Sequence, residues 1–239
     1  MTSLSISRFR GQITQFFSWV IIGLFLATIG IVVLKINFSF LISNPVFSTI
    51  EAFLHFNGEA NFVAWFSSLA LLISSVLLAI IAYSKKQSGD RFYRHWKWLA
   101  IIFLIMAIDE TAQIHESLAF ILSRYLPGDR WFFEAKNAWF LIGIPVVLIF
   151  AYAFLKFLLH LPKKTKQLFF VAALIFVTGA LGLEVASNYL QNLHTHYFWF
   201  RMAQSMEEIC ELFGIVLFNY ALLLYLEKDL GYKHLTFDT

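Results

Sequence analysis

Long apolar runs separated by short polar clusters set the plan of this chain. A transmembrane helix needs about 20 mostly apolar residues. Six stretches meet that requirement, at 15–35, 61–83, 98–122, 138–159, 167–190 and 203–225. The pattern predicts an all-α polytopic membrane protein, with residues 1–239 forming one transmembrane domain. Between the first two spans, Asn44 followed by Pro45 marks a helix start, asparagine as the cap and proline at the first helical position. Beyond it Ile50, Phe53 and Leu54 share one face, and Glu51 and His55 pair on another. A short helix lying at the outer interface is expected there, as a lid or as a connector resting on headgroups.

Composition supports the membrane assignment. The chain is 59% hydrophobic and 14% charged with a mean hydropathy of +0.71, against roughly 45–50% apolar residues in soluble domains. The basic residues flank the spans. With the N-terminus inside, 13 of the 18 Lys and Arg residues fall on the inner side, which places both termini in the cytoplasm. Trp19, Trp96 and Trp98 then stand at inner ends, and Trp65, Trp131, Trp139 and Trp199 at outer ends. The net charge of +3 is accordingly a topology signal and not a nucleic-acid footprint. Arg8 and Arg10 precede an apolar run that is too long for a signal-peptide core, so the first span is expected to be retained. A bacterial inner membrane is the expected location. The expected contacts are membrane lipid, an apolar small-molecule substrate, and a membrane-protein partner or a second copy of the chain. The single cysteine, Cys210, excludes an internal disulfide and any multi-cysteine metal framework within one chain. It is expected to pack.

One polar sequence interrupts this apolar plan. Asp109-Glu110-Thr111-Ala112-Gln113-Ile114-His115-Glu116 continues directly from an apolar run, inside the third predicted span. Ionisable residues at membrane depth mark functional sites by default. At 1.5 Å rise per residue, Asp109 and Glu110 fall near the midplane and His115 and Glu116 roughly 8–11 Å further out. The fifth span brings Glu184 into the same outer half, and the sixth brings Glu207, Glu208 and Glu211. Helical periodicity gathers Glu184, Ser187, Asn188 and Gln191 into one stripe, and Gln204, Glu207, Glu208 and Glu211 into another. In the third span Asp109, Gln113 and Glu116 share a face while Glu110 and His115 flank it, so that span is expected to be central in the bundle.

So many acids near one in-membrane histidine require bound cations, protonation of some carboxyls, or water. Oxygen-rich ligation with imidazole suits Fe, Mn, Mg, Ca or Zn. The sequence reading therefore makes Asp109, His115, Glu116, Glu184, Glu208 and Glu211 ligands of a divalent metal ion of unspecified identity. Glu110 and Glu207 are proton-transfer candidates, and Gln113 and Asn188 supporting groups. His194 and His196 are candidate ligands from above the site. Neither a zinc-protease His-Glu-x-x-His nor a Glu-x-x-His pair is present. The doublets Asp109-Glu110 and Glu207-Glu208, three spans apart, hint at an inverted repeat. Asp109-Glu110, His115-Glu116 and the Glu-Glu-x-x-Glu-x-x-Gly run at 207–214 together resemble bacterial multi-pass membrane proteins, a likeness that implies no activity. The leading expectation is a metal-dependent membrane enzyme, a hydrolase or oxidoreductase acting on a lipid or other apolar molecule. A proton- or cation-coupled transporter or channel is the second, and a non-catalytic subunit of a larger membrane complex the third.

Overall fold

The computed structural model of the protein describes residues 2–56, 61–125, 138–192, 197–232 and 234–237. A short strand β1 (Thr2–Ser5) leads into the long helix α1 (Ile6–Asn37), a 3-10 turn and α2 (Pro45–Leu54). The chain continues through α3 (Phe62–Gln87), α4 (Tyr93–Ala112), α5 (Ile114–Tyr125), α6 (Ala138–His160) and α7 (Lys163–Val177). A π-helical turn, Thr178–Leu183, joins α7 to α8 (Glu184–Asn192), and α9 (Tyr197–Lys228) and strand β2 (His234–Phe237) complete the fold. β1 and β2 pair antiparallel, with Thr2 opposite Phe237 and Ser5 opposite His234. This ribbon is the one departure from an all-helical fold among the described residues, and its strands do carry a short polar-apolar alternation, Ser3-Leu4-Ser5 and His234-Leu235-Thr236-Phe237.

Five helices are long and apolar enough to cross a membrane: Ile6–Asn37, Phe62–Gln87, Ile142–His160, Lys163–Ser187 and Tyr197–Lys228. The expectation of a single helix over 98–122 is corrected, because the chain there divides into α4 and α5 at Gln113. The central position also differs from expectation. The apolar window of α9 is 72% buried, against 50% for α3, the next highest. On α4 and α5, Leu104, Ile105, Ile108, Ile114 and Leu118 are exposed. The polar periphery of the 109–116 stretch arises from a change of helix direction, not from enclosure on all sides.

The helix starts follow from local chemistry. Asn44 Oδ1 accepts from the N–H groups of Val46 and Phe47, at 3.0 and 3.1 Å, and Pro45 opens α2 as expected. Val46, Ile50 and Phe53 remain exposed, the apolar face an interfacial helix needs. Asn61 caps α3 in the same way through the N–H groups of Val63 and Ala64.

Small polar side chains bind the helices to one another. Ser68 Oγ donates to the Ala107 carbonyl at 2.6 Å and Ser75 Oγ to the Ala100 carbonyl at 2.8 Å, which fixes α3 and α4 antiparallel. Ser74 Oγ donates to Asn219 Oδ1 at 2.8 Å, and Asn219 Nδ2 to the Ala70 carbonyl at 3.0 Å. Buried hydroxyl and amide contacts of this kind contribute about 0.6 kcal/mol each in membranes. α7 and α9 approach more closely still. A Cβ on Gly214 would lie 2.9 Å from the Phe176 nitrogen, and one on Gly179 would lie 2.7 Å from the Glu207 carbonyl oxygen. Glycine at both points lets the backbones meet.

At the end of the bundle read as the inner one, Arg10 pairs with Glu227 and Lys85 with Asp90 at 3.1 Å. Burial raises the affinity of the Asp90 carboxyl for its proton. The Phe92 N–H and the Lys85 ammonium outweigh that effect and hold it below the ordinary value of 3.8. The folded state thus holds this proton less tightly than the unfolded chain does. The stabilisation is complete above about pH 4 and is lost as the pH falls through the lowered value. Asp90→Asn is expected to destabilise the protein by about 1 kcal/mol at neutral pH. Thermal melts of the two proteins should converge as the pH falls through that lowered value.

Candidate functional site

The third predicted span contains the main irregularity of the backbone. Gln113 adopts φ 55° and ψ 41°, the left-handed region, and is the sole non-glycine residue with positive φ among those described. Its N–H still donates to the Asp109 carbonyl at 2.7 Å, closing α4. The first amides of α5 need another acceptor, and the Asp109 side chain supplies it. Oδ1 takes the His115 N–H at 2.9 Å, while Oδ2 lies 2.6 Å from His115 Nδ1. One carboxylate therefore caps a helix and orients an imidazole. The face expected of Asp109, Gln113 and Glu116 required a continuous helix, and the backbone breaks at Gln113.

Glu110 turns to the other side of α4, where it lies near Ser67 of α3 and within electrostatic range of Asp109 and His115. Glu211, on α9, is within range of the charges of Glu208, Glu110, Glu207 and Glu184. α4, α8 and α9 thus contribute to one neighbourhood. Glu207 is buried, and Ser187 Oγ lies 3.0 Å from both Glu207 Oε2 and the Glu184 carbonyl. This joins the two stripes expected from periodicity. The π-helical turn immediately before Glu184 offsets α8 from α7 and coincides with the Gly179 crossing. Such turns are frequent at functional sites. Cys210 lies at the same crossing, its Cβ 3.1 Å from where a Gly179 side chain would begin. That is the packing role expected of it.

A second polar group stands at the opposite end of the bundle, where α1 ends and α9 begins. Lys35 Nζ reaches both oxygens of Glu51 on α2, at 2.7 and 2.8 Å. Tyr197 Oη donates to Glu51 at 3.3 Å and accepts from Arg201 Nε at 3.2 Å, and Arg201 Nη1 donates to Gln204 at 3.1 Å. In the sequence Lys35 and Arg201 count only among the basic residues that flank the spans. In the fold they clasp α2 to the helix that carries Glu207, Glu208 and Glu211.

Among the described residues, no group of three or more His, Cys, Asp or Glu side chains is arranged to hold a metal ion. The side chains of Glu116 and Asn188, and residues 193–196 with His194 and His196, lie outside the described residues.

A family model described as a domain of unknown function (DUF8692) matches residues 19–226. No curated protein and no solved structure matches the chain.

Proposed function

We propose a function for this chain, which belongs to the DUF8692 family, from the chemistry of its site: a membrane enzyme acting on a lipid or other apolar substrate, with a divalent metal ion held among the acids. The observation that carries the reading is that Glu110, Glu184, Glu207 and Glu208 all lie within electrostatic range of Glu211. Acids that share one buried neighbourhood favour a bound cation or bound protons to offset their repulsion. Mn, Fe, Mg, Ca or Zn would suit an oxygen-rich set with one imidazole. The proposed ligands are His115, Glu116, Glu184, Glu208 and Glu211, with Asp109 as ligand or orienting partner. The 2.6 Å contact to Nδ1 favours the orienting role, because carboxylates that hold a ligand histidine turn its other nitrogen towards the metal. Glu110 and Glu207 are proposed to transfer protons.

The topology that accompanies this reading has six crossings, α4 and α5 together making the third, in a bacterial inner membrane. The terminal ribbon supports it, since paired ends require an even number of crossings. The basic inner loops support cytoplasmic termini.

A proton- or cation-coupled transporter is the second reading, favoured by the broken helix at Gln113, a feature of ion sites in transporters. Against it, the polar column Glu110, Ser67, Ser74, Asn219 ends in Leu78, Ile81, Leu222 and Trp96, all at most 1% exposed. Elemental analysis of purified protein decides between them. Wild type is expected to carry about one divalent ion per chain, and Glu211→Gln and His115→Ala less than about a tenth of that. Metal-free wild type of unchanged fold would sink the enzyme reading. Cation flux into proteoliposomes that disappears in Glu211→Gln would establish the second.

A further inference from the structure

Where the loop before α4 meets the end of α6, a groove is lined by Arg91, Phe92, Lys156, Leu159 and His160. Lys156, Leu159 and His160 stand at i, i+3 and i+4, so one turn of α6 presents all three to the same side. Phe92 joins the two walls: the Arg91 guanidinium lies 4.7 Å from its ring centroid and the His160 ring 4.8 Å from it. No acidic residue lines the groove among those described. The adjoining cavity of about 220 Å³, behind Phe92 and His160, differs in this respect. There Lys85 is already engaged by Asp90, and Asp229 adds a further acid.

The groove opens onto an apolar strip of α6. Leu148, Tyr152, Leu155 and Leu159 are 64%, 85%, 50% and 61% exposed, forming a row towards the membrane interior. Exposed cations above an exposed apolar strip match a molecule with a negative head and a long apolar tail. Basic pockets of this kind on the cytoplasmic side hold anionic lipid headgroups. A soluble anion would fit the cations but leave the strip without a role.

We propose that this groove binds one anionic phospholipid of the inner leaflet, its phosphate between Arg91 and Lys156 with His160 alongside, and one acyl chain along α6. The assignment to the inner leaflet rests on the orientation proposed above and is independent of the metal site. The test is native mass spectrometry of the full chain released from nanodiscs of mixed phosphatidylglycerol and phosphatidylcholine. Wild type is expected to retain one phosphatidylglycerol, with a preference of about tenfold or more. The double variant R91Q/K156Q is expected to lose it. K164Q, which removes an exposed lysine at the start of α7 outside the groove, is expected to retain it. Circular dichroism melts should be alike for all three, as the changed residues are exposed. Equal retention of both lipids, or equal loss in K164Q, would overturn the site in favour of diffuse surface charge. Displacement of the lipid from wild type by inorganic phosphate alone would overturn it in favour of a soluble anion.

Discussion

Asp109→Ala is expected to destabilise the protein by about 2.5–4 kcal/mol, about 1 kcal/mol more than His115→Ala. The aspartate makes two separate contacts, accepting the His115 backbone N–H and meeting the imidazole at Nδ1. Losing a helix cap costs about 1 kcal/mol, and losing a hydrogen bond to a charged group about 1.5–3 kcal/mol. Truncation of the histidine side chain leaves the backbone cap in place. The double variant should therefore be no less stable than Asp109→Ala alone, a non-additivity expected of residues in one network. Denaturant unfolding in detergent micelles measures all three. Asp109→Asn separates the two contributions, because an amide oxygen still caps α5 while the carboxylate charge is lost. Strictly additive losses in the double variant would show that the dyad does not act as a unit.

That dyad was only partly legible in the sequence. The residues stood out because acids and a histidine are costly at membrane depth, and apolar run length located most of the spans. The geometry was hidden because the turn at Gln113 uses neither glycine nor proline. A left-handed residue without either signal depends on a side chain four positions earlier folding over to cap the next helix, and local pattern carries no trace of that. The polar perimeter of 109–116 was accordingly taken as evidence of a central helix. α9 holds that place, and its Ser205, Glu207, Gly214 and Asn219, all buried, were the better indication. The π turn left a clearer sign, since Gly179 and Gly182 interrupt an otherwise bulky span three residues apart. Ordinary periodicity accounts for the contact of Ser187 on α8 with Glu207 on α9.

Gly179→Ala is the second substitution with a large expected effect. Its new Cβ would lie 2.7 Å from the Glu207 carbonyl oxygen, 2.9 Å from Glu211 Cγ and 3.1 Å from Cys210 Cβ. The first of these is backbone and cannot swing aside, so α9 must shift as a whole. Overpacking of this kind typically destabilises by about 1–3 kcal/mol. The displacement would also move Glu207 and Glu211 away from α8, so loss of the proposed metal should exceed what the stability change alone explains. Gly182→Ala is the control: its Cβ would meet only Thr178 Cγ2, at an ordinary 3.8 Å. Thermal melts and metal content of the two variants should differ clearly. Equal behaviour would mean that the α7–α9 crossing does not set the position of the acids.

The pairing of β1 with β2 bears on how the protein is made. Each strand lacks its partner until the other end of the described chain has been synthesised, and closing so long a loop carries an entropic cost that only an assembled bundle can offset. The ribbon also requires its two strands to emerge on the same face of the membrane. A chain inserted with one span missed would leave both strands unpaired, with open hydrogen-bonding edges of the kind that invites aggregation. Pairing of Thr2–Ser5 with His234–Phe237 is thus open only to a molecule whose two ends lie on one face.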